Sequence, residues 1–85
     1  MVPVYRVYVL QNAAGKFYVG LSDDVPRRVQ QHNRGESRYT KGKGPWAIRW
    51  ISERLSLSDA RKLENRLKRQ KGGIGFYLIT GLSRS

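Results

Sequence analysis

Val4-Tyr5-Arg6-Val7-Tyr8-Val9-Leu10, then Asn12-Ala13-Ala14-Gly15, then Lys16-Phe17-Tyr18-Val19-Gly20: these stretches decide the fold. The first and third are short runs rich in β-branched and aromatic side chains, which read as strands. The second is a turn signal, so the strands form an antiparallel hairpin. Side chains alternate along a strand. Val4, Arg6 and Tyr8 therefore share one face, and Tyr5, Val7 and Val9 the other. Gly20 is expected to end the second strand, and its missing side chain leaves room for another group to approach the backbone.

The pattern then changes period. Ser22-Asp23-Asp24 supplies capping side chains and Pro26 suits a first helical turn, so a helix runs from about Val25 to Asn33 and ends before Gly35. Glu36 to Gly44 is polar and basic. Pro45 leads into a third strand, Trp46 to Ser52, with Trp46, Ile48 and Trp50 on one face and both tryptophans expected in the core. Ser56 or Ser58 caps a second helix, about Leu57 to Lys71, which Gly72-Gly73 breaks. The stretch Ile74 to Leu82 reads as a short C-terminal helix or tail. The expected fold is α+β, a small three-stranded antiparallel sheet flanked by helices in the order β-β-α-β-α, as one domain over residues 1–85.

Charge narrows the function. Seventeen Lys and Arg against six Asp and Glu leave a formal net charge of +11 and a pI near 10.8. That is the footprint of a protein that meets a polyanion. The chain has no cysteine, which excludes disulfides and thiolate metal sites. No apolar run approaches a membrane span, and the first residues do not read as a signal peptide, so no membrane partner and a cytoplasmic location are expected.

Within this basic chain stands one set of residues able to cut a phosphodiester with a single metal ion: Tyr8, Tyr18, Arg28, His32 and Glu64. At about 100° per residue, Val25, Arg28, Val29 and His32 share one side of the first helix, while Arg27 points away. An arginine beside the apolar stripe is badly placed for solubility and well placed to grip a phosphate at a cleft rim. On the second helix Ala60, Leu63 and Leu67 form the apolar stripe, and Glu64 lies about 70° from its centre. A carboxylate there, amid cations, suits a divalent metal, since Mg²⁺ needs only one or two. Read singly, the residues are blander. Tyr8 and Tyr18 could be paired hairpin aromatics, His32 a satisfied rim residue, and Glu64 the partner of Arg61 or Lys68 in a helical ion pair.

Together these residues resemble the GIY-YIG nuclease family. Val7-Tyr8-Val9 stands at the first motif, without its glycine, because Arg6 precedes Val7. Tyr18-Val19-Gly20 stands at the second, with valine for isoleucine. Asp24 to Asn33, Tyr39 to Trp46 and Leu63 to Lys68 are similar to small bacterial single-domain members, which resemble the nuclease domain of a eukaryotic endonuclease for branched DNA. The resemblance runs from about Val4 to Lys71. It implies that Tyr8 and Tyr18 project into the site, one of them acting on the attacking water. It implies further that Arg28 stabilises phosphate charge and that His32 assists proton transfer or holds a tyrosine. Glu64 would bind one Mg²⁺ or Mn²⁺. The asparagine some members carry after that glutamate is represented here only by Asn65, on another face.

The expected activity is metal-dependent endonucleolytic hydrolysis of DNA, branched, flapped or single-stranded, in repair or recombination. Arg27, Arg38, Lys41, Lys43, Lys68, Arg69 and Lys71 are the expected phosphate contacts. A homodimer or a partner protein would supply further specificity. The rivals are a non-catalytic nucleic-acid-binding module using the same groove, and an interaction subunit of a nuclease complex.

Overall fold

The computed structural model describes residues 3–71 and 73–82. Its elements are β1 (Arg6–Asn12), β2 (Phe17–Ser22), α1 (Val25–Asn33), β3 (Trp46–Ile51), α2 (Leu57–Arg69) and α3 (Ile74–Thr80). The sheet is antiparallel with strand order β2-β1-β3, so β1 is central and β2 lies at one edge. The expected α+β class and hairpin are both present.

Sheet alternation builds two cores. Val7 and Val9 point to one side and join Val19, Ala60, Leu67 and Phe76 beneath α2 and α3. Tyr8 and Leu10 point to the other and join Val25 and Trp46 beside α1. Burying a large apolar side chain is worth about 1.5–3 kcal/mol, so these two layers hold the sheet between its helices. The helix boundaries follow local chemistry. The Asp24 carboxylate accepts from Arg27 N at 3.2 Å, Ser56 Oγ accepts from Asp59 N at 3.1 Å, and Gly35 adopts φ +77 just past the end of α1.

Several sequence expectations change. β1 begins at Arg6 rather than Val4, with Tyr5 making only an isolated bridge to Leu55. Both hairpin strands run further than composition suggests. Gln11 and Asn12 pair within β1, and β2 continues past Gly20 to Ser22, opposite Arg6. Backbone ladder bonds accept polar side chains and glycine alike, so composition marks strand ends poorly. α2 ends at Arg69, with Gln70 as its C-cap. Gly73 caps the following helix, α3, whereas Gly72, expected as a breaker, lies outside the described residues.

The third strand carries the largest correction. Trp46 and Trp50 were expected on one face. Instead Trp46 is buried in the Tyr8 layer, Trp50 packs on the Val7–Val9 layer, and Ile48 is 42% exposed. Register explains this. Val9 faces Trp50 but Leu10 faces Ile48, so Arg49 is an extra residue in β3. One inserted residue moves the rest of a strand to the other face.

Candidate active site

Tyr8 and Gly20 sit directly opposite across the hairpin, and so do Leu10 and Tyr18. The two tyrosines are thus diagonal neighbours on one face, with ring centroids 6.4 Å apart. Gly20 is what lets Tyr8 lie there. A Cβ at position 20 would stand 2.5 Å from Tyr8 Oη and 2.6 Å from Cζ. The Tyr8 ring therefore crosses the backbone of β2 where only glycine leaves space.

α1 delivers the next two groups on the face that its periodicity indicates. His32 is 1% exposed, more deeply buried than a rim residue. Its Nε2 lies 2.9 Å from Tyr8 Oη and its Nδ1 2.8 Å from Thr40 Oγ1. The Thr40 hydroxyl turns toward Ser37 O at 3.5 Å. This assigns the tautomer: Nδ1–H donates to Thr40, and Nε2 accepts from the Tyr8 hydroxyl. The imidazole edge also meets the Tyr18 ring, with centroids 4.7 Å apart and planes at 60°. One histidine thereby holds both tyrosines, and Thr40 ties it to the loop before β3.

Electrostatics follow from this packing. Burial first, and the Arg28 guanidinium second, push His32 down to about 4, so the ring is neutral at physiological pH. Burial pushes the Tyr8 phenol well above its usual 10, as does the neighbouring Tyr18; Arg28 acts against them, and the Glu64 carboxylate adds to the rise. Tyr8 is therefore the residue on which Tyr18, Arg28 and Glu64 all bear, and to which His32 is bonded. Arg28 is half-buried, and its guanidinium donates to Gln31 Oε1 at 2.8 Å. Arg27, one residue away, is exposed beside Asp23 and Asp24, at 3.8 and 4.0 Å. The helix-face distinction between the two arginines holds.

Glu64 comes from α2, which packs on the edge strand β2 as well as on β1. Its side chain is 18% exposed and paired with Lys68 Nζ at 3.3 Å, the helical ion pair that the spacing allows. No cluster of three or more His, Cys, Asp or Glu stands ready for a metal among the described residues. A single half-buried carboxylate nevertheless fits the hard-cation class, where phosphate and water complete the shell.

The cations expected to meet phosphate divide. Lys43, Lys68 and Lys71 line a cavity beside Tyr18. Arg69 lines a different groove, with Asp59, Lys62, Asn65 and Arg66. Arg38 and Lys41 are exposed on the loop before β3, and Arg27 stays with its aspartates. Sequence reasoning missed Thr40, Lys16 and Tyr39. Thr40 sits in an irregular loop with no periodicity to flag it, and Lys16 opens a run that reads only as the second strand. Tyr39 lies in the same loop as Thr40, and nothing in the sequence marks its ring as exposed.

The GIY-YIG catalytic domain family matches residues 4–77. A UPF0213 protein of Nitratidesulfovibrio vulgaris is 37% identical over 68 residues, covering 79% of this chain and 62% of its own length. One from Aeromonas hydrophila is 37% identical over 75 residues, covering 87% and 55%. One from Halobacterium salinarum is 38% identical over 66 residues, covering 76% and 86%. The chain thus spans only about three-fifths of the length of the first two. No solved structure matches. With both tyrosine motifs, the arginine helix and the glutamate helix inside the matched region, the chain belongs to the GIY-YIG catalytic domain family.

Proposed function

We propose that this domain is an endonuclease that hydrolyses phosphodiester bonds of DNA, with branched, flapped or single-stranded DNA as its substrate. The observation that carries the reading is the cluster at Tyr8: the Tyr18 ring 6.4 Å from its own, His32 Nε2 2.9 Å from its hydroxyl, and the charges of Arg28 and Glu64 acting on the same buried phenol. Structural packing alone gives no reason to gather an arginine, a glutamate and a neutral histidine around it.

Burial separates the two tyrosines by task. Tyr8 is 1% exposed and hydrogen-bonded to His32, so it is a positioning residue. Tyr18 is half-buried and lines the open cavity, so its hydroxyl is the one that meets the attacking water. The His32–Thr40–Ser37 string fixes both rings without a charge of its own. Arg28 holds the phosphate and stabilises the charge that grows on it as the water adds. Glu64 is the group to hold a divalent cation, Mg²⁺ or Mn²⁺, with Lys68 giving up its contact. When bound, that ion supplies Lewis acidity at the phosphate oxygens. A free phenol ionises near 10, so Arg28 and the cation are also what would ease proton transfer from water to a tyrosine.

The test is nicking of supercoiled plasmid and of flap, fork, four-way junction and single-stranded substrates, with Mg²⁺ or Mn²⁺ and with chelator. Metal-dependent product that Glu64→Gln abolishes, with DNA binding retained, is the expected result. Retained binding with no product on any substrate would make the domain a non-catalytic nucleic-acid-binding module.

A further inference from the structure

Beside Tyr18 lies a cavity of about 440 Å³, within the range of sites that enclose a small organic group. Four lysines line it: Lys16 from the hairpin turn, Lys43 from the loop before β3, Lys68 from α2 and Lys71 just past its end. They come from three separate stretches, so this is more than a solvated charge run along one helix. No acidic side chain lines the cavity. Of the four, only Lys68 has an ion-pair partner among the described residues. Lys71 registers the crowding: partial burial first, then the charges of Lys16, Lys68 and Lys43, push it below the usual lysine value. Cations gathered with so little counter-charge destabilise the free protein and suit an anion that arrives later.

The wall is aromatic. Tyr39 is 76% exposed, yet its loop is pinned on either side of it. Ser37 and Thr40 are buried, Thr40 bonds His32, and the Trp46 indole N–H donates to Thr40 O at 3.2 Å. Asn33 clamps the start of β3 by accepting from Trp46 N at 2.7 Å and donating to Trp46 O at 3.1 Å. The phenol ring is therefore displayed on a firm base, and Phe17 and Trp46 line the same cavity. Flat apolar surface among cations is the combination that binds a nucleobase and its phosphates.

We propose that this cavity takes one unpaired nucleotide of a single strand adjoining the scissile phosphate. Its base lies against Tyr39, and its flanking phosphates lie among Lys16, Lys43, Lys68 and Lys71. The proposal rests on the nuclease reading for the word "scissile", but the pocket itself can be tested without cleavage. A duplex keeps its bases stacked and cannot offer one to Tyr39 without paying to unpair it. The substrate is therefore defined by an unpaired position next to the cut, as in a flap or an open fork.

The experiment is fluorescence anisotropy in chelator with three labelled probes: a 12-nucleotide DNA single strand, the same sequence as RNA, and the DNA as a blunt duplex. Base stacking predicts that Tyr39→Ala weakens single-strand binding about 10-fold (about 1.4 kcal/mol), leaves the duplex within about twofold, and is rescued by Tyr39→Phe. Loss on the DNA strand, the RNA strand or both supports the pocket and says which backbone it accepts. Lys71→Gln should flatten the log–log salt dependence on single strands by about 0.7, whereas Arg69→Gln, in the other groove, should act on single strand and duplex alike. Equal weakening of single strand and duplex by Tyr39→Ala, or none on either, overturns the proposal. Cleavage assays stay separate: Tyr39-dependent binding with no nicking refutes the nuclease reading alone, and nicking without Tyr39-dependent binding refutes the pocket alone.

Discussion

His32 is the only histidine of the chain, which makes its burial measurable without interference. In the unfolded chain an imidazole takes up its proton near pH 6.5; here burial and Arg28 hold that event down to about 4. The unfolded state therefore binds the extra proton first as pH falls. The domain should be most stable above pH 6.5 and lose stability between 6.5 and about 4, with no further loss from this group below that. Each pH unit inside the window is worth about 1.4 kcal/mol, so going from pH 7.5 to pH 5 should cost about 2 kcal/mol through His32. His32 is 1% exposed, so solvent does little to screen the effect.

The assay is urea denaturation followed by tryptophan fluorescence at the two pH values, for the wild type and for His32→Gln. At a slope of about 1 kcal/mol/M, the wild-type midpoint should fall by about 2 M more than that of the variant. The variant is expected to be weaker at every pH, because it loses bonds to Tyr8 and Thr40; the difference in pH dependence is what counts. Should the variant not fold, the imidazole carbon resonances of the wild type provide the same answer. A titration midpoint between 6 and 7, or identical pH dependence in both proteins, would refute the buried, neutral His32.

The other predictions concern the same cluster. Gly20→Ala places a Cβ against the Tyr8 hydroxyl, and overpacking there should cost about 1–3 kcal/mol, read as a fall in Tm, together with a loss of nicking activity. Thr40→Val leaves the His32 Nδ1–H without its acceptor in a buried place. A cost of about 1–3 kcal/mol and a lower cleavage rate at saturating DNA are expected, and an unchanged melting curve would contradict the buried His32–Thr40 hydrogen bond. Arg28→Ala should slow cleavage roughly 100-fold or more, while Arg27→Ala, already engaged by two aspartates, should change binding only slightly; equal effects in single-turnover kinetics would undo the helix-face argument.

Local rules carried much of the fold. The alternation of Tyr8 against Val7 and Val9, the Asp24 cap, the span of α1 and the stripe of α2 depend on neighbours in sequence, and the structure reproduces them. The i, i+4 spacing of Arg28 and His32 likewise determined that both would face the sheet. The face of β3 could not be read, because the extra residue at Arg49 is defined only by pairing with β1.

What the sequence determined by itself is a basic hairpin-and-helix domain in which two tyrosines, an arginine, a histidine and a glutamate occupy inward or edge positions. Only tertiary structure decided how they meet. The Tyr8 ring crosses the backbone at Gly20, twelve residues on, and His32 is held by Thr40 from an irregular loop. The charge of Glu64, on a helix packed against the other side of the sheet, acts on Tyr8, and four lysines from three stretches converge beside Tyr18. Periodicity reports which way a side chain leaves its own element. It carries no information on which distant element that side chain will find, because that contact is set by packing between layers far apart in the chain.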